Sequence, residues 1–373
     1  MTKKKICFVL PYHWSYRFGG SEYQVKLLID YIIENGDTKY DLFYVCRIND
    51  KEIYPLKYKI IRICKGNLGI RKYGYFFDSI DLYKCLKGLD PDFIYQRVGG
   101  AYTGVCAFYS KKFGKKMIWH VSIDEEARVF MLEFKRNLLF RYIGKKILQY
   151  GIKNTTYIIG QTKHQNELLK KNFGRECDYI IPNFHPVPKN EIKKKEPIKI
   201  VWVANFKRFK RPELFIKLSE EFQVNKKVRF LMIGRKNIGK WQSELEKKIA
   251  KLSNLYYLGE RPIEQVNRIL CHSHIFVNTS LYEGFANTYI QAWMREIPVV
   301  TLNVDPDDLL EKKKIGFHSR SFDQMVKHIR YLIENEDERR EMGKRAREYA
   351  IENHSIEKIG KKYLEIFKDL IKS

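Results

Sequence analysis

The sequence predicts an α/β fold of two doubly wound domains whose strand ends face an interdomain cleft. Three observations predict it. Short continuous apolar runs alternate with segments of helical period in both halves of the chain. A proline-rich break, with four prolines in the sixteen residues from Pro182 to Pro197, separates those halves. The 373 residues exceed one ordinary core, because domains settle at roughly 100 to 200 residues each.

The elements follow in order. Lys5–Leu10 is a run of the kind a strand buried on both faces shows, and it leads into the turn Gly19-Gly20-Ser21-Glu22. From Ser21, an N-cap type residue, the apolar positions Val25, Leu27, Leu28, Tyr31 and Ile32 recur at helical spacing. Further strands are predicted at Leu42–Val45, Phe93–Tyr95, Met117–Trp119 and Tyr157–Ile159, interleaved with helices. After the break the rhythm restarts at Ile198–Val203, Arg229–Ile233, Tyr256–Leu258, Ile275–Val277 and Pro298–Thr301. Ser355–Ile371 reads as an amphipathic helix. The domains are therefore set at 1–187 and 188–354, with a helix at 355–373 that can pack back on the first. Ligands of such sheets bind beyond the carboxyl ends of the strands.

The composition narrows the class of partner. Seventy Lys and Arg against 44 Asp and Glu give a net charge of +26, a surplus that asks for a negative ligand or surface. Residues 1–190 hold 33 basic and 18 acidic side chains and are the more biased half. Seven scattered cysteines without a C-x-x-C pair fit buried thiols in a reducing cytosol. The run after Lys3-Lys4-Lys5 ends at Pro11 and is too short for a secretion signal, and no window reaches a membrane span. A cytoplasmic protein is expected. No carboxylate or His/Cys cluster of metal-ligand spacing occurs, so no metal or other cofactor is expected.

The most informative segment is Thr279-Ser-Leu-Tyr-Glu283-Gly-Phe-Ala-Asn287-Thr288. It follows a predicted strand and precedes a helix, and such a junction offers backbone N–H groups and a positive dipole end to a diphosphate. An ordinary strand-to-helix loop with Glu283 as a solvated acid is the competing reading.

The stretch from Tyr257-Leu-Gly through Asn278-Thr-Ser-x-x-Glu283-Gly-Phe-x-Asn287 to Pro298-Val-Val resembles the donor half of group 1 (family 4) glycosyltransferases of the two-Rossmann-domain GT-B type. Gly19-Gly20, Trp119-His120, Ile181-Pro182-Asn183 and Lys210-Arg211-Pro212-Glu213 extend the likeness over nearly the whole chain, in the family's order. The resemblance implies an N-terminal acceptor domain and a C-terminal nucleotide-sugar domain. It implies that Glu283 meets the transferred sugar, that Lys210 neutralises donor phosphate, and that His120 lies near the donor sugar and phosphate, a catalytic set of three. Donor contacts are implied at Gly19, Gly20, Asn205, Lys210, Arg211, Gly284, Phe285, Ala286, Asn287 and Gln291.

Two positions depart from the family pattern. Gln291 stands where a ribose-binding Glu is usual, which keeps an acceptor oxygen but loses the charge-assisted bond. Asn205 stands where an Arg is usual, with Lys207, Arg208 and Arg211 near enough in sequence to supply the charge. Arg97 and Asp124, just beyond predicted strands of the first domain, are candidate acceptor contacts.

By resemblance the reaction is a metal-free, retaining, hexosyl-type transfer from a UDP- or GDP-linked donor to a glycan or lipid-linked acceptor, in cell-surface polysaccharide or glycolipid synthesis. The stretch 134–166 contains no acidic residue, and Phe134–Tyr150 reads as a basic amphipathic helix suited to an anionic membrane surface. That adds peripheral association with the inner face of the membrane. A packed helix with a solvated basic edge is the plainer alternative. Two other functions stay open: a catalytically weakened sugar-nucleotide-binding homologue, motivated by Gln291 and Asn205, and a basic nucleic-acid-binding protein. Nucleic acid is not expected, because the charge is spread over both halves without a recognition motif.

Overall fold

A computed structural model of the chain describes residues 3–16, 19–36, 40–47, 56–64, 74–128, 138–189, 192, 194–236 and 238–372. The chain divides into two units, one made of Met1–Asn183 with Ile356–Ser373 and the other of Phe184–Ser355.

The first unit is built on a parallel sheet. Its strands are β1 (Lys4–Val9), β2 (Tyr40–Cys46), β3 (Lys59–Arg62), β4 (Phe93–Arg97), β5 (Lys116–His120), β6 (Tyr157–Gly160) and β7 (Tyr179–Ile180), in the order β3-β2-β1-β4-β5-β6-β7. The order reverses direction between β1 and β4, where Phe8 pairs with Tyr95. Cys7, Phe8 and Val9 have no exposed surface, as a strand covered on both faces requires. The helices α1 (Gly20–Asn35), α2 (Ser79–Leu89), α3 (Ala101–Phe113), α4 (Leu138–Asn154) and α5 (Lys163–Phe173) supply that cover. Helix α1 starts at Gly20 with Gly19 at the cap, so Ser21 lies inside the first turn and is not the cap that its residue type suggests. β3 and β7 are strands that the apolar runs do not mark.

The second unit carries β8 (Ile198–Val203), β9 (Val228–Ile233), β10 (Leu255–Tyr257), β11 (Ile275–Asn278), β12 (Val299–Thr301) and β13 (Gly316–His318). They form a parallel sheet ordered β10-β9-β8-β11-β12-β13, which reverses between β8 and β11. Its helices are α6 (Pro212–Glu220), α7 (Lys240–Ile249), α8 (Ile263–Cys271), α9 (Asn287–Trp293), α10 (Leu309–Lys313), α11 (Phe322–Glu334) and α12 (Glu336–His354). Trp202, Phe215, Phe230, Met232 and Val277 pack the core on one side of the sheet, and Tyr289, Trp293 and Ile297 on the other.

The last helix, α13 (Ile356–Lys372), returns to the first unit. Its apolar stripe buries Ile359, Tyr363 and Phe367, with the Phe367 ring 5.1 Å from that of Phe93. The ring of Tyr31 in α1 lies against Gly360, and Lys116 donates to the Leu370 carbonyl at 2.9 Å. The seven cysteines are all free thiols.

Candidate active site

The switch point of the second sheet gathers the charged groups. The loop after β8 supplies Asn205, Lys207, Arg208, Lys210 and Arg211, and the loop after β11 supplies Thr279, Ser280 and Glu283. Strands that diverge at a reversal leave room above their carboxyl ends, which is where open α/β sheets bind ligands.

Glu283 is the centre of this cluster. Its Oε1 accepts from the Lys210 ammonium and, at 2.7 Å, from the Ser280 hydroxyl. Both side chains of the ion pair are mostly buried, at 19% and 13% exposure, so the pair is less screened by solvent than a surface one. The pair is backed by a second tie between the same loops. Arg211 sits at φ +48° just before Pro212 and sends Nε to the Thr279 carbonyl at 2.7 Å and Nη2 to the Ser280 carbonyl at 3.3 Å. With its amide turned, Asn303 accepts from the same guanidinium. The Thr279 hydroxyl lies 2.7 Å from the Lys210 carbonyl and accepts from the Trp202 indole at 3.0 Å. Phe209 and Tyr282 stack face to face, with ring centroids 4.9 Å apart. Arg211 is thus a brace between loops, with its charge engaged by carbonyl oxygens.

The other residues singled out in this domain have their own partners. Gly284 follows Glu283. Phe285 and Ala286 are 8% exposed and anchor the loop, with the Phe285 ring against Trp293 and His354. Asn287 begins α9, a helix of seven residues. Gln291, one turn on, is 3% exposed and donates to Oδ1 of Asn267 in α8 at 3.0 Å. Asn205 turns inward, its Oδ1 accepting from the backbone N–H of Arg235 at 3.1 Å.

The first unit presents its own candidates separately. Gly19 lies against the carboxylate of Glu22, which is 9% exposed, and Gly20 opens α1 after β1. His120 ends β5 and is 1% exposed. Its Nδ1 faces the hydroxyl of Tyr95 at 2.6 Å and that of Tyr363 at 3.1 Å, while Nε2 is buried without a partner among the described residues. Burial, helped by the nearby Arg97 charge, pulls its pKa well below the usual value, so the ring is neutral.

Arg97 belongs to β4 itself, because that strand runs two residues beyond its apolar run. It is 2% exposed and donates to Asn183, so it braces the interior of the unit instead of lying on a surface loop. Asp124 accepts from Gln165 at 3.0 Å. Its neighbour Glu126, which residue type alone does not distinguish, is buried with its carboxyl pushed up to about 7 by desolvation, and it accepts from the Ser122 N–H. Val98 between these groups holds φ +71°, a strained value for a β-branched residue.

The basic stretch forms α4. Leu148 and Ile152 are buried, and the helix crosses α3 closely where Gly104 meets Ile147. Leu139, Tyr142 and Tyr150 are exposed on it beside Lys146, whose ammonium lies 5.4 Å from the Tyr142 ring centroid. Lys145 donates to the Glu125 carbonyl. Phe134, Lys135 and Arg136 lie outside the described residues, as does the side chain of Arg141. Among the described residues no helix is long and apolar enough to cross a membrane.

Comparison with known proteins agrees with this architecture. A poly(ribitol-phosphate) alpha-N-acetylglucosaminyltransferase of Staphylococcus aureus is 28% identical over 242 residues, which are 60% of this chain and 46% of that relative. The match therefore spans less than half of that relative's length. The fold is similar to that of sucrose-phosphate synthase from Thermosynechococcus elongatus, with a TM-score of 0.78 at 14% identity over 99% of both chains. It is also similar to that of Anabaena HepE in complex with UDP and glucose, with a TM-score of 0.74 at 15% identity over 98% of this chain and 100% of that one. Residues 185–349, which hold the Lys210–Glu283 pair, match the family of glycosyl transferases group 1. That match falls within the second unit, and the two parallel-sheet α/β units share the GT-B fold of these solved structures.

Proposed function

We propose that the chain transfers a hexosyl unit, with retention of anomeric configuration, from a UDP- or GDP-linked donor to a glycan or lipid-linked acceptor in cell-surface polysaccharide or glycolipid synthesis. The observation that carries this reading is the Lys210–Glu283 pair at the switch point of the second sheet. A carboxylate held by an ammonium and a hydroxyl is fixed in place, suited to hold sugar hydroxyls. The ammonium beside it can neutralise the leaving diphosphate, and in this reading no metal is needed for that step. Ser280 positions the carboxylate and Arg211 positions the loop. His120, neutral and with a buried Nε2 that has no partner among the described residues, is assigned to the donor sugar or phosphate. Gly19, Gly20 and the backbone from Gly284 to Asn287 are assigned to close approach of the donor, Gln291 to the ribose, and Asp124 to the acceptor. In support, Anabaena HepE was solved with UDP and glucose.

The acceptor is proposed to be presented at an anionic surface. The relative from Staphylococcus aureus is named for a poly(ribitol-phosphate) substrate, and a chain of net charge +26 suits a polyanionic acceptor or an anionic inner leaflet. The exposed Leu139, Tyr142 and Tyr150 beside Lys146 on α4 fit shallow contact with lipid.

The test is a thermal-shift screen against UDP, GDP and their sugar conjugates, followed by detection of released nucleoside diphosphate and NMR of the product's anomeric proton. A melting temperature raised by one nucleoside diphosphate is expected by mass action. No shift with any of them, or an inverted anomeric centre, ends the proposal.

A further inference from the structure

Six cations stand on the loops that leave the carboxyl ends of β8 and β9, and the structure accounts for five of them. Lys210 is paired with Glu283. Arg211 is engaged by the carbonyls of Thr279 and Ser280. Arg208 lies over the Trp241 ring at 4.9 Å, and Lys207 over Phe209 at 5.6 Å. Lys236 is paired with Glu246 and sits 4.0 Å from the Tyr257 ring centroid. The sixth is Arg235. It is half-buried, and among the described residues its guanidinium makes no hydrogen bond, ion pair or ring contact.

Its backbone, in contrast, is held on both sides. Asn205 Oδ1 accepts the Arg235 N–H at 3.1 Å, and the Arg235 carbonyl accepts from the Phe206 N–H at 2.9 Å. Just before it, Gly234 takes φ +148° and packs so tightly on the loop after β8 that an added Cβ would lie 1.8 Å from the Ala204 carbonyl. Two loops are thereby locked together at one point beside the switch, and the point carries an unengaged guanidinium. A planar five-donor group fixed at its root and uncommitted at its tip is the side chain best fitted to bind phosphate oxygens.

We propose that Arg235 is a diphosphate-binding residue of the donor site, and that Asn205 is the positioning residue that holds it there. This rests on the donor reading given above and adds to it the source of positive charge. Lys210, a single cation shared with Glu283, leaves most of a nucleoside diphosphate's charge of about minus two or three uncompensated. Asn205 then contributes through Arg235, without meeting the ligand itself.

The experiment measures binding of UDP, GDP and inorganic pyrophosphate by calorimetry to the wild-type chain and to Arg235→Gln, Arg235→Lys and Arg229→Gln. Arg229 lies near the amino end of β9, so its removal takes the same charge from the same domain far along the strand. Arg235→Gln is expected to keep the apo melting temperature and to weaken the bound nucleoside diphosphate and pyrophosphate alike by about tenfold, the scale of one charge-assisted bond. Arg235→Lys should fall between, and Arg229→Gln should match the wild type. A folded Arg235→Gln with wild-type affinity overturns the inference, and so does an equal loss in Arg229→Gln. Should Arg235→Gln lower the apo melting temperature, Arg235→Lys decides: a few-fold weakening supports the assignment and none overturns it. A wild-type chain that binds none of the three probes overturns the donor reading itself, an outcome distinct from the others.

Discussion

Lys210 and Glu283 meet across 73 positions of sequence because β8 and β11 are neighbours in the sheet, and each follows its strand by a single loop. Glu283→Gln keeps a group that the Ser280 hydroxyl can bond but removes the charge. Transfer is expected to fall by roughly a hundredfold or more, the scale of losing one charged contact to a transition state. Single-turnover rates beside circular dichroism melting check this, and a folded variant with near wild-type turnover excludes Glu283 from the reaction.

Lys210→Ala should reduce both donor affinity and rate, since one cation acts on the bound diphosphate and on the leaving group. Glu283 then keeps only the Ser280 hydroxyl among the two partners named for it. Unchanged UDP and GDP affinity would mean that phosphate is neutralised elsewhere.

Arg211→Lys preserves charge yet cannot span two carbonyls with one fork. A loss of about 1 kcal/mol in urea unfolding is expected, the value of one internal hydrogen bond. The donor KM should rise with it, because the loops carrying Lys210 and Glu283 lose their tie. Wild-type values of both would show that the Thr279 hydroxyl bond suffices.

Gln291→Glu places a carboxylate beside Oδ1 of Asn267, so the Asn267 amide must turn to offer its NH2. Donor affinity is expected to change by about 1 kcal/mol. Abolished transfer would remove Gln291 from the ribose site.

Acid should weaken the second unit through His185. The ring is 3% exposed, and burial lowers its pKa from 6.5 to about 4. Below pH 6.5 the unfolded chain binds the proton and the folded one does not, so this contribution is complete above about 6.5 and shrinks as pH falls toward 4. By pH 5 the loss from this residue is about 2 kcal/mol. Urea midpoints between pH 7.5 and 4.5 measure it, and His185→Gln should flatten the profile. An unchanged slope in that variant assigns the acid sensitivity to other buried histidines.

The sequence showed most of what is central and little of what is peripheral. Runs such as Ile198–Val203 coincide with their strands because central parallel strands are buried on both faces. β3, with the pattern KIIR and no fully buried residue, β7, with two residues, and β13, with three, carry too little apolar signal to separate from loops. Glu283 and Lys210 were legible as members of a motif. The Arg211 brace was not, since its partners are backbone carbonyls, which have no residue identity. The contact of Tyr363 with His120 spans 243 positions and shows in no local pattern.

The return of α13 to the first unit has a consequence for biosynthesis. The surface that will receive Tyr363 and Phe367, built from Phe93, Tyr95 and His120, leaves the ribosome long before its cover does. At roughly 5 to 20 residues per second, translation of the whole second unit keeps that surface waiting on the order of ten seconds or more. The first unit to be synthesised is therefore the last to be completed. During that interval its apolar face is a natural client for a nascent-chain chaperone.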